Sequence, residues 1–507
     1  MKKRFKPYIL IGIMSLLTLF GTGCNEEKNV EEIQTTDVEY PTKKYPIQTE
    51  SNDEAIIGPN ETKGTYYKPW EFRDMDMNNE SSKWCWARSA ESEHFYVFWE
   101  EEFGADPNAY TVPENMRVDI DDLLEKAEKF FDKNVELGFY NPDEMDNEIS
   151  KYKLQIYILY QEEWLATGSG YDNKIGALWV NPSTCKPVGS TIAHEIGHSF
   201  QYLVYCNQLA EGESDDYKHG FRYGYEGSNG GNGFWEQTAQ WQAMQNYPNE
   251  LFLDYQMYTW FRMNNKSFEN EWMRYEGYWF FYYMTEKHGM EAVSNVWNNS
   301  VWPEDALSCY MRLYLNNDLE KLYNELFDYA MHMATFDLDV IRDYAGDYHK
   351  DYNIKMYDAG DGYEQVAYSD CPEPGGFNVI EIDFEEGQDK VMVDFKAMEP
   401  GALLSSEDPA EYKVNGEYEG TVEIYNDTGV EVGFKYGFVA LCDDDTRVYS
   451  AQFSGDENVV SFQVPENAEY VYFVVLATSK EYYCHPWDDD ELTDAMAPFK
   501  LKIIDTY

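Results

Sequence analysis

The sequence predicts an α+β protein closing in a β-sandwich, on the strength of three observations. Apolar strand-like segments give way to a run of long helical patterns, and beyond about residue 363 short alternating strands recur with turns every ten or so residues. The third is composition: 43 % hydrophobic and 17 % aromatic residues supply ample core material for 507 residues and exclude wholesale disorder. A formal charge of −55 excludes a basic nucleic-acid binder on bulk electrostatics. The 44 Tyr and 14 Trp pack on one side and hydrogen-bond on the other, a composition common where peptides or glycans are held.

The chain opens on an address. Lys2, Lys3, Arg4 and Lys6 form a positive start, and Tyr8 to Phe20 is an apolar stretch of 13 residues, too short to span a bilayer as a helix. Residues 1–23 therefore read as a signal peptide. Gly21-Thr22-Gly23 before Cys24 resembles a bacterial lipoprotein cleavage site, and the acidic Asn25-Glu26-Glu27 resembles lipoproteins sent to the outer membrane or cell surface. The expectation is a lipid on Cys24 anchoring the protein in the cell envelope, with ordinary secretion as the alternative. Residues 24–82, polar, acidic and punctuated by proline, read as a tether. The seven cysteines beyond Cys24 are an odd number with no two within four residues, so a cysteine-based zinc ribbon is unsupported.

Residues 83–345 form the first folded part. His94–Trp99, Lys153–Tyr160 and Ile175–Val180 pattern as strands, and Glu114–Leu137 as an amphipathic helix. Helices are expected over Val188–Cys206, Phe234–Gln245, Tyr275–His288 and Asp318–Met333, the last capped by Asp318. Residues 363–507 form the sandwich. Its strands are expected at Asn378–Phe384, Lys390–Phe395, Thr421–Tyr425, Arg447–Phe453, Val459–Val464, Tyr470–Leu476 and Phe499–Ile504.

The sharpest chemistry is His194-Glu195-Ile196-Gly197-His198. Histidines at i and i+4 project from one helix face, close enough for both imidazoles to bind one Zn²⁺, while Glu195 stands beside them to take a proton. Ile192, Ala193, Ile196, Phe200 and Leu203 give the same helix a core side, and Gly197 leaves room for close packing. A catalytic zinc site needs a third protein ligand. The slot six residues after His198 holds Val204, which rules out the three-histidine pattern. Glu236, within Phe234-Trp235-Glu236 and 38 residues past His198, is the preferred third ligand; His219 is the alternative.

These two helices resemble the gluzincin class of zinc metallopeptidases, and Ala193–Gln201 with Phe234–Glu236 looks like a family of secreted bacterial zincin-like proteins. The resemblance implies one zinc held by His194, His198 and Glu236, with Glu195 as catalytic base. It implies a zincin-like fold in which an edge strand, expected to be Ile175–Val180, pairs with an extended peptide. Gluzincins often carry an Asp four residues after the ligand Glu; Gln240 stands there, a weaker acceptor for an imidazole N–H. Tyr275 and Tyr278, at the start of a later helix, are candidate donors to the developing oxyanion, as tyrosines are in related enzymes.

Near the C-terminus, Cys484-His485-Pro486-Trp487-Asp488-Asp489-Asp490-Glu491, with Asp494 close behind, clusters carboxylates that could hold Ca²⁺, but EF-hand spacing is missing and a solvated acidic turn is the favoured reading. Two function classes stay open. One is a zinc endopeptidase acting on extracellular protein or glycoprotein. The other is a catalytically weak zincin scaffold that binds glycan or protein at the surface.

Overall fold

The computed structural model describes residues 66–142, 149–210, 231–301, 304–385, 387–399, 410–414, 417–422, 428–485 and 494–504. The expected signal peptide, Cys24, most of the tether, His219, most of Thr421–Tyr425 and Asp488–Glu491 lie outside these residues. The fold is α+β. A first sheet combines β1 (Ser89–Glu91), β2 (Phe95–Trp99), β3 (Leu154–Ile158), β4 (Ala166–Tyr171) and β5 (Ile175–Val180) in the order β1-β2-β3-β5-β4. β2, β3 and β5 run parallel, whereas β4 pairs antiparallel with β5 over its whole length. Ile175–Val180 is thus an inner strand, and Ala166–Tyr171 ends the sheet. The segment Ala166-Thr167-Gly168-Ser169-Gly170-Tyr171 carries little strand propensity, which hid it from pattern reading.

Helix α1 (Ile120–Glu136) starts later than its periodicity implies, because Asp119 caps it by accepting from the Asp122 N–H and Glu114–Met116 forms a separate 3₁₀ turn. It is followed by α2 (Ser190–Ala210), which packs on the sheet, by α3 (Gly231–Met244), which packs on α2, and by α4 (Asp254–Met263). Then come α5 (Trp279–His288), α6 (Ala292–Asn299), α7 (Ala306–Tyr314), α8 (Leu319–Met333) and α9 (Arg342–Ala345). Asp318 does cap α8, accepting from the Lys321 N–H.

The sandwich begins earlier than residue 363, at β6 (Met356–Asp358), which pairs with β7 (Glu364–Val366). Its remaining strands are β8 (Phe377–Glu381), β9 (Lys390–Ala397), β10 (Ala410–Val414), β11 (Glu417–Val422), β12 (Val432–Cys442), β13 (Arg447–Tyr449), β14 (Phe453–Ser454), β15 (Glu457–Gln463), β16 (Ala468–Ser479) and β17 (Phe499–Ile504). β10 and β11 pair as a hairpin. One sheet has the order β13-β12-β16-β8, with β14 also on β12, and the other β15-β9-β17-β7-β6. Phe434, Tyr436 and Phe438 of β12 and Phe473 and Val475 of β16 point into the core between the sheets. The alternate residues Val439, Tyr472, Val474 and Leu476 point the other way, into the core of the helices. β12 and β16 are therefore buried on both faces, and Gly437 lets α8 approach, since a Cβ there would meet Met331 at 3.2 Å and Phe327 at 3.3 Å.

A buried polar cluster ties the helical part to the sandwich. Lys266 Nζ lies 3.0 Å from Glu373 Oε1 and 2.8 Å from Asp494 Oδ2. His485 Nε2 lies 2.9 Å from Asp494 Oδ1, and its Nδ1 faces Glu271 Oε2 at 3.9 Å. Glu373, His485 and Asp494 are spaced as metal ligands could be, but the Lys266 ammonium already pairs with both carboxylates. Asp494, read as part of a solvated acidic turn with Ca²⁺ as the alternative, is instead buried and committed to this cluster. Among the described residues, no helix is long and apolar enough to cross a membrane.

Candidate metal centre

Helix α2 is the spine of the site. Its apolar residues Ile192, Ile196, Phe200 and Leu203 are buried, which turns His194, Glu195 and His198 toward the sheet and α3. Glycines allow neighbours to close in from two sides. A Cβ on Gly168 of β4 would sit 2.1 Å from the Glu195 carbonyl oxygen and 2.9 Å from His198 Cβ, and one on Gly176 of β5 would meet Ser199 at 2.8 Å. Across α2, a Cβ on Gly197 would meet Gln242 Oε1 of α3 at 2.7 Å. Gly197, in the middle of the histidine motif, is the point where α3 crosses.

That crossing carries Glu236 to the histidines. Glu236 Oε2 lies 3.1 Å from His194 Nε2 and 3.3 Å from His198 Nε2, and the imidazole centroids are 4.6 Å apart at 89°. One ligand atom from each of the three residues lies within 4.8 Å of the others. The far nitrogens are held as well: His194 Nδ1 is 3.2 Å from Gln240 Oε1, and His198 Nδ1 is 3.1 Å from Gln201 Oε1. An amide oxygen only accepts, so each Nδ1 carries a proton, and each Nε2 is turned toward Glu236. Two imidazoles and a carboxylate arranged this way could hold a metal ion.

The electrostatics divide the two carboxylates. Burial would raise Glu236, but His198 and His194 outweigh it and hold the carboxyl well below its ordinary range. Burial also pushes Glu195 up to about 7, with the Glu236 charge adding to it, against the pull of His194 and a hydrogen bond from the Gly168 N–H. The site thus pairs one acid that stays ionised with one poised to exchange a proton near neutrality.

The two tyrosines part company. The Tyr275 ring lies 6.3 Å from that of His194 and is 37 % exposed, so it borders the site from the solvent side. Burial of its phenol, reinforced by Glu236 and Glu195, raises it well above 10 and keeps it protonated as a donor. Tyr278 is fully buried, and its hydroxyl donates to the Leu251 carbonyl at 2.9 Å. That hydroxyl is spent on the helix core. Gln201 and Gln242, which no motif flagged, are buried beside the histidines; the one available signal was that Gln201 follows His198 by three residues on the same helix face.

A family model described as "Family of unknown function (DUF6055)" matches residues 59–507. No curated protein matches the chain. Among solved structures, a family 22 carbohydrate binding module of Clostridium thermocellum Xyn10B is similar at 11 % identity and a TM-score of 0.16, over 30 % of this chain and 78 % of that one. A protein of Sulfurospirillum deleyianum is similar at 12 % identity and a TM-score of 0.15, over 28 % and 97 %. The M60 catalytic domain with two CBM51 domains from Clostridium perfringens ZmpB is similar at 9 % identity and a TM-score of 0.24, over 83 % of this chain and 59 % of that one. At such TM-scores the likenesses carry no argument.

Proposed function

The chain belongs to the family of unknown function DUF6055, and on that footing we propose that it is a zinc-dependent endopeptidase of the bacterial cell envelope, lipid-anchored through Cys24 and acting on extracellular protein or glycoprotein. The observation that carries the reading is the convergence of His194 Nε2, His198 Nε2 and a Glu236 oxygen beside the Glu195 carboxyl. This is the donor set the gluzincin resemblance implies, two imidazoles and a carboxylate, and zinc is the ion it suits. When bound, zinc supplies a Lewis acid that polarises the scissile carbonyl and lowers the pKa of a water toward ~7.

The chain's own groups do the rest. Glu195, brought up to about 7, accepts the proton of the attacking water and delivers it to the leaving amine, so no covalent intermediate is required. Tyr275 keeps its phenolic proton and donates a hydrogen bond to the carbonyl oxygen as negative charge develops there. β4, the last strand of its sheet, has a side with no strand partner among the described residues and packs on α2 beside Glu195 and His198. An extended peptide adding to that side would run past the metal ligands.

A second reading, a weak scaffold that binds glycan or protein, is favoured by one observation: both imidazoles are backed by neutral amides rather than carboxylates. Metal analysis of purified protein followed by casein and mucin digests separates the two. The endopeptidase reading expects one zinc per chain, cleavage by wild type, and none by Glu195→Ala. Zinc without cleavage of either substrate favours the scaffold. Loss of zinc in Glu236→Ala, with retention in His219→Ala, is expected for the third ligand.

A further inference from the structure

A second group of ligand-type side chains gathers where the helical part meets the segment after β16. Glu269, between α4 and α5, Asp305, the residue ahead of α7, and Cys484, just beyond β16, bring one ligand atom each within 4.8 Å of the others. Both carboxylates are buried, while Cys484 is partly exposed and gives the group a side open to solvent. Each acid is oriented through one oxygen. Glu269 Oε1 faces the Leu307 N–H at 3.4 Å, and Asp305 Oδ1 accepts from the Ser308 N–H at 2.7 Å and from the Tyr482 hydroxyl at 2.5 Å. Glu269 Oε2, in a side chain only 1 % exposed, meets no N–H or O–H donor. A buried carboxylate oxygen left that way is costly and calls for a partner. The neighbouring cluster shows what is missing. Glu269 stands three residues after Lys266 and Cys484 one before His485, yet the Lys266 ammonium is spent on Glu373 and Asp494. Neither Glu269 nor Asp305 has an ion-pair partner among the described residues, so two buried acids and a thiol face one another with no cation between them.

We propose that Glu269, Asp305 and Cys484 form a second metal site, separate from the histidine centre, for a borderline dication of the zinc class. The sulfur sets the class: Ca²⁺ and Mg²⁺ want oxygen ligands alone, whereas a thiolate beside two carboxylates suits Zn²⁺ and its neighbours. The ion takes the place of the thiol proton, which leaves to solvent. Its three ligands come from three distant stretches of chain, so the bound ion pins the loop after α4, the start of α7 and the segment after β16 at one point. The site stands whether or not the chain is an endopeptidase, and it adds its ion to the one expected at His194, His198 and Glu236.

Cobalt separates the two centres, because a Co²⁺–thiolate bond gives a charge-transfer band in the near ultraviolet that imidazole and carboxylate ligands do not. Metal-free full chain titrated with Co²⁺ should develop this band, and so should Glu236→Ala, which disables the histidine centre. Cys484→Ser should lose it, although every other cysteine is still present. Glu269→Gln and Asp305→Asn, the second of which keeps a residue able to cap α7, should each weaken cobalt binding by about 10–100-fold. Zn²⁺ should bleach the band and excess Ca²⁺ should leave it untouched. A wild type without the band, as expected of two acids that merely share a proton, overturns the site. So does a band that survives Cys484→Ser, one that vanishes in Glu236→Ala, or one that Ca²⁺ displaces. Where Cys484→Ser folds poorly the wild type decides: Zn²⁺ should slow alkylation of Cys484, followed by peptide mass, and an unchanged rate overturns the site.

Discussion

At the scale of single residues the site separates binding from proton transfer. Glu195 sits beside His194, His198 and Glu236, the proposed ligands, without being one, so Glu195→Gln should keep zinc content at wild-type level while lowering kcat/KM by about 10²–10⁴-fold, read by metal analysis and a peptide-cleavage assay on the same preparation. Tyr275→Phe removes a proton held firmly at neutral pH and leaves the ring in place. It should lower kcat by about 10²–10³-fold with KM and zinc content little changed. Tyr278→Phe should instead act on stability, because its hydroxyl serves the Leu251 carbonyl; an effect confined to kcat would reverse the assignment of the two tyrosines. The meeting of His194, His198 and Glu236 was legible in the sequence because two histidines at i and i+4 and a flanked glutamate are short-range patterns. The amides behind them were not, since Gln201, Gln242 and Asn134 meet only when three helices cross.

At the scale of elements, the pattern of apolar residues located the strands and helices whose cores are continuous, and missed those built for approach. Ile175–Val180 is found to the residue, whereas its neighbour β4 spends two of its six positions on glycine to lie against α2. Nothing periodic marks such a strand. The same closeness makes it fragile: Gly168→Ala would drive a methyl group into the Glu195 carbonyl, which is backbone and cannot turn aside. It should destabilise the fold by about 1–3 kcal/mol in denaturant melts and cost catalytic activity as well, because the strand must move away from Glu195 and His198. Arg447–Phe453 reads as one strand yet forms two short ones, β13 and β14, which pair with different parts of β12.

At the scale of the whole molecule, the Lys266 cluster joins the two folded parts. Lys266→Met would leave Glu373 and Asp494 buried with one cation fewer, and should cost about 3–5 kcal/mol in equilibrium unfolding. His485 gives the cluster a pH signature. Burial works against its charge, but Glu373, Asp494 and Glu271 outweigh burial and hold the imidazole at about 9, with Lys266 opposing from the other side of Asp494. A histidine raised on folding contributes stability that is complete below its unfolded pKa of ~6.5 and is lost as pH climbs through 9. Melting temperature should therefore fall between pH 7 and 9.5, and His485→Gln should flatten that slope; an unaltered slope would remove His485 as its source. The double-sided burial of β12 and β16 has a practical outcome for anyone dividing the protein. A fragment stopping after α9 would show water the greasy wall where Phe327 and Met331 now meet the sheet, and a fragment starting at β6 would bare the matching wall of Tyr472, Val474 and Leu476. Neither piece has a reason to stay in solution, so the sandwich is a fixed flank of the helical part and not a detachable passenger.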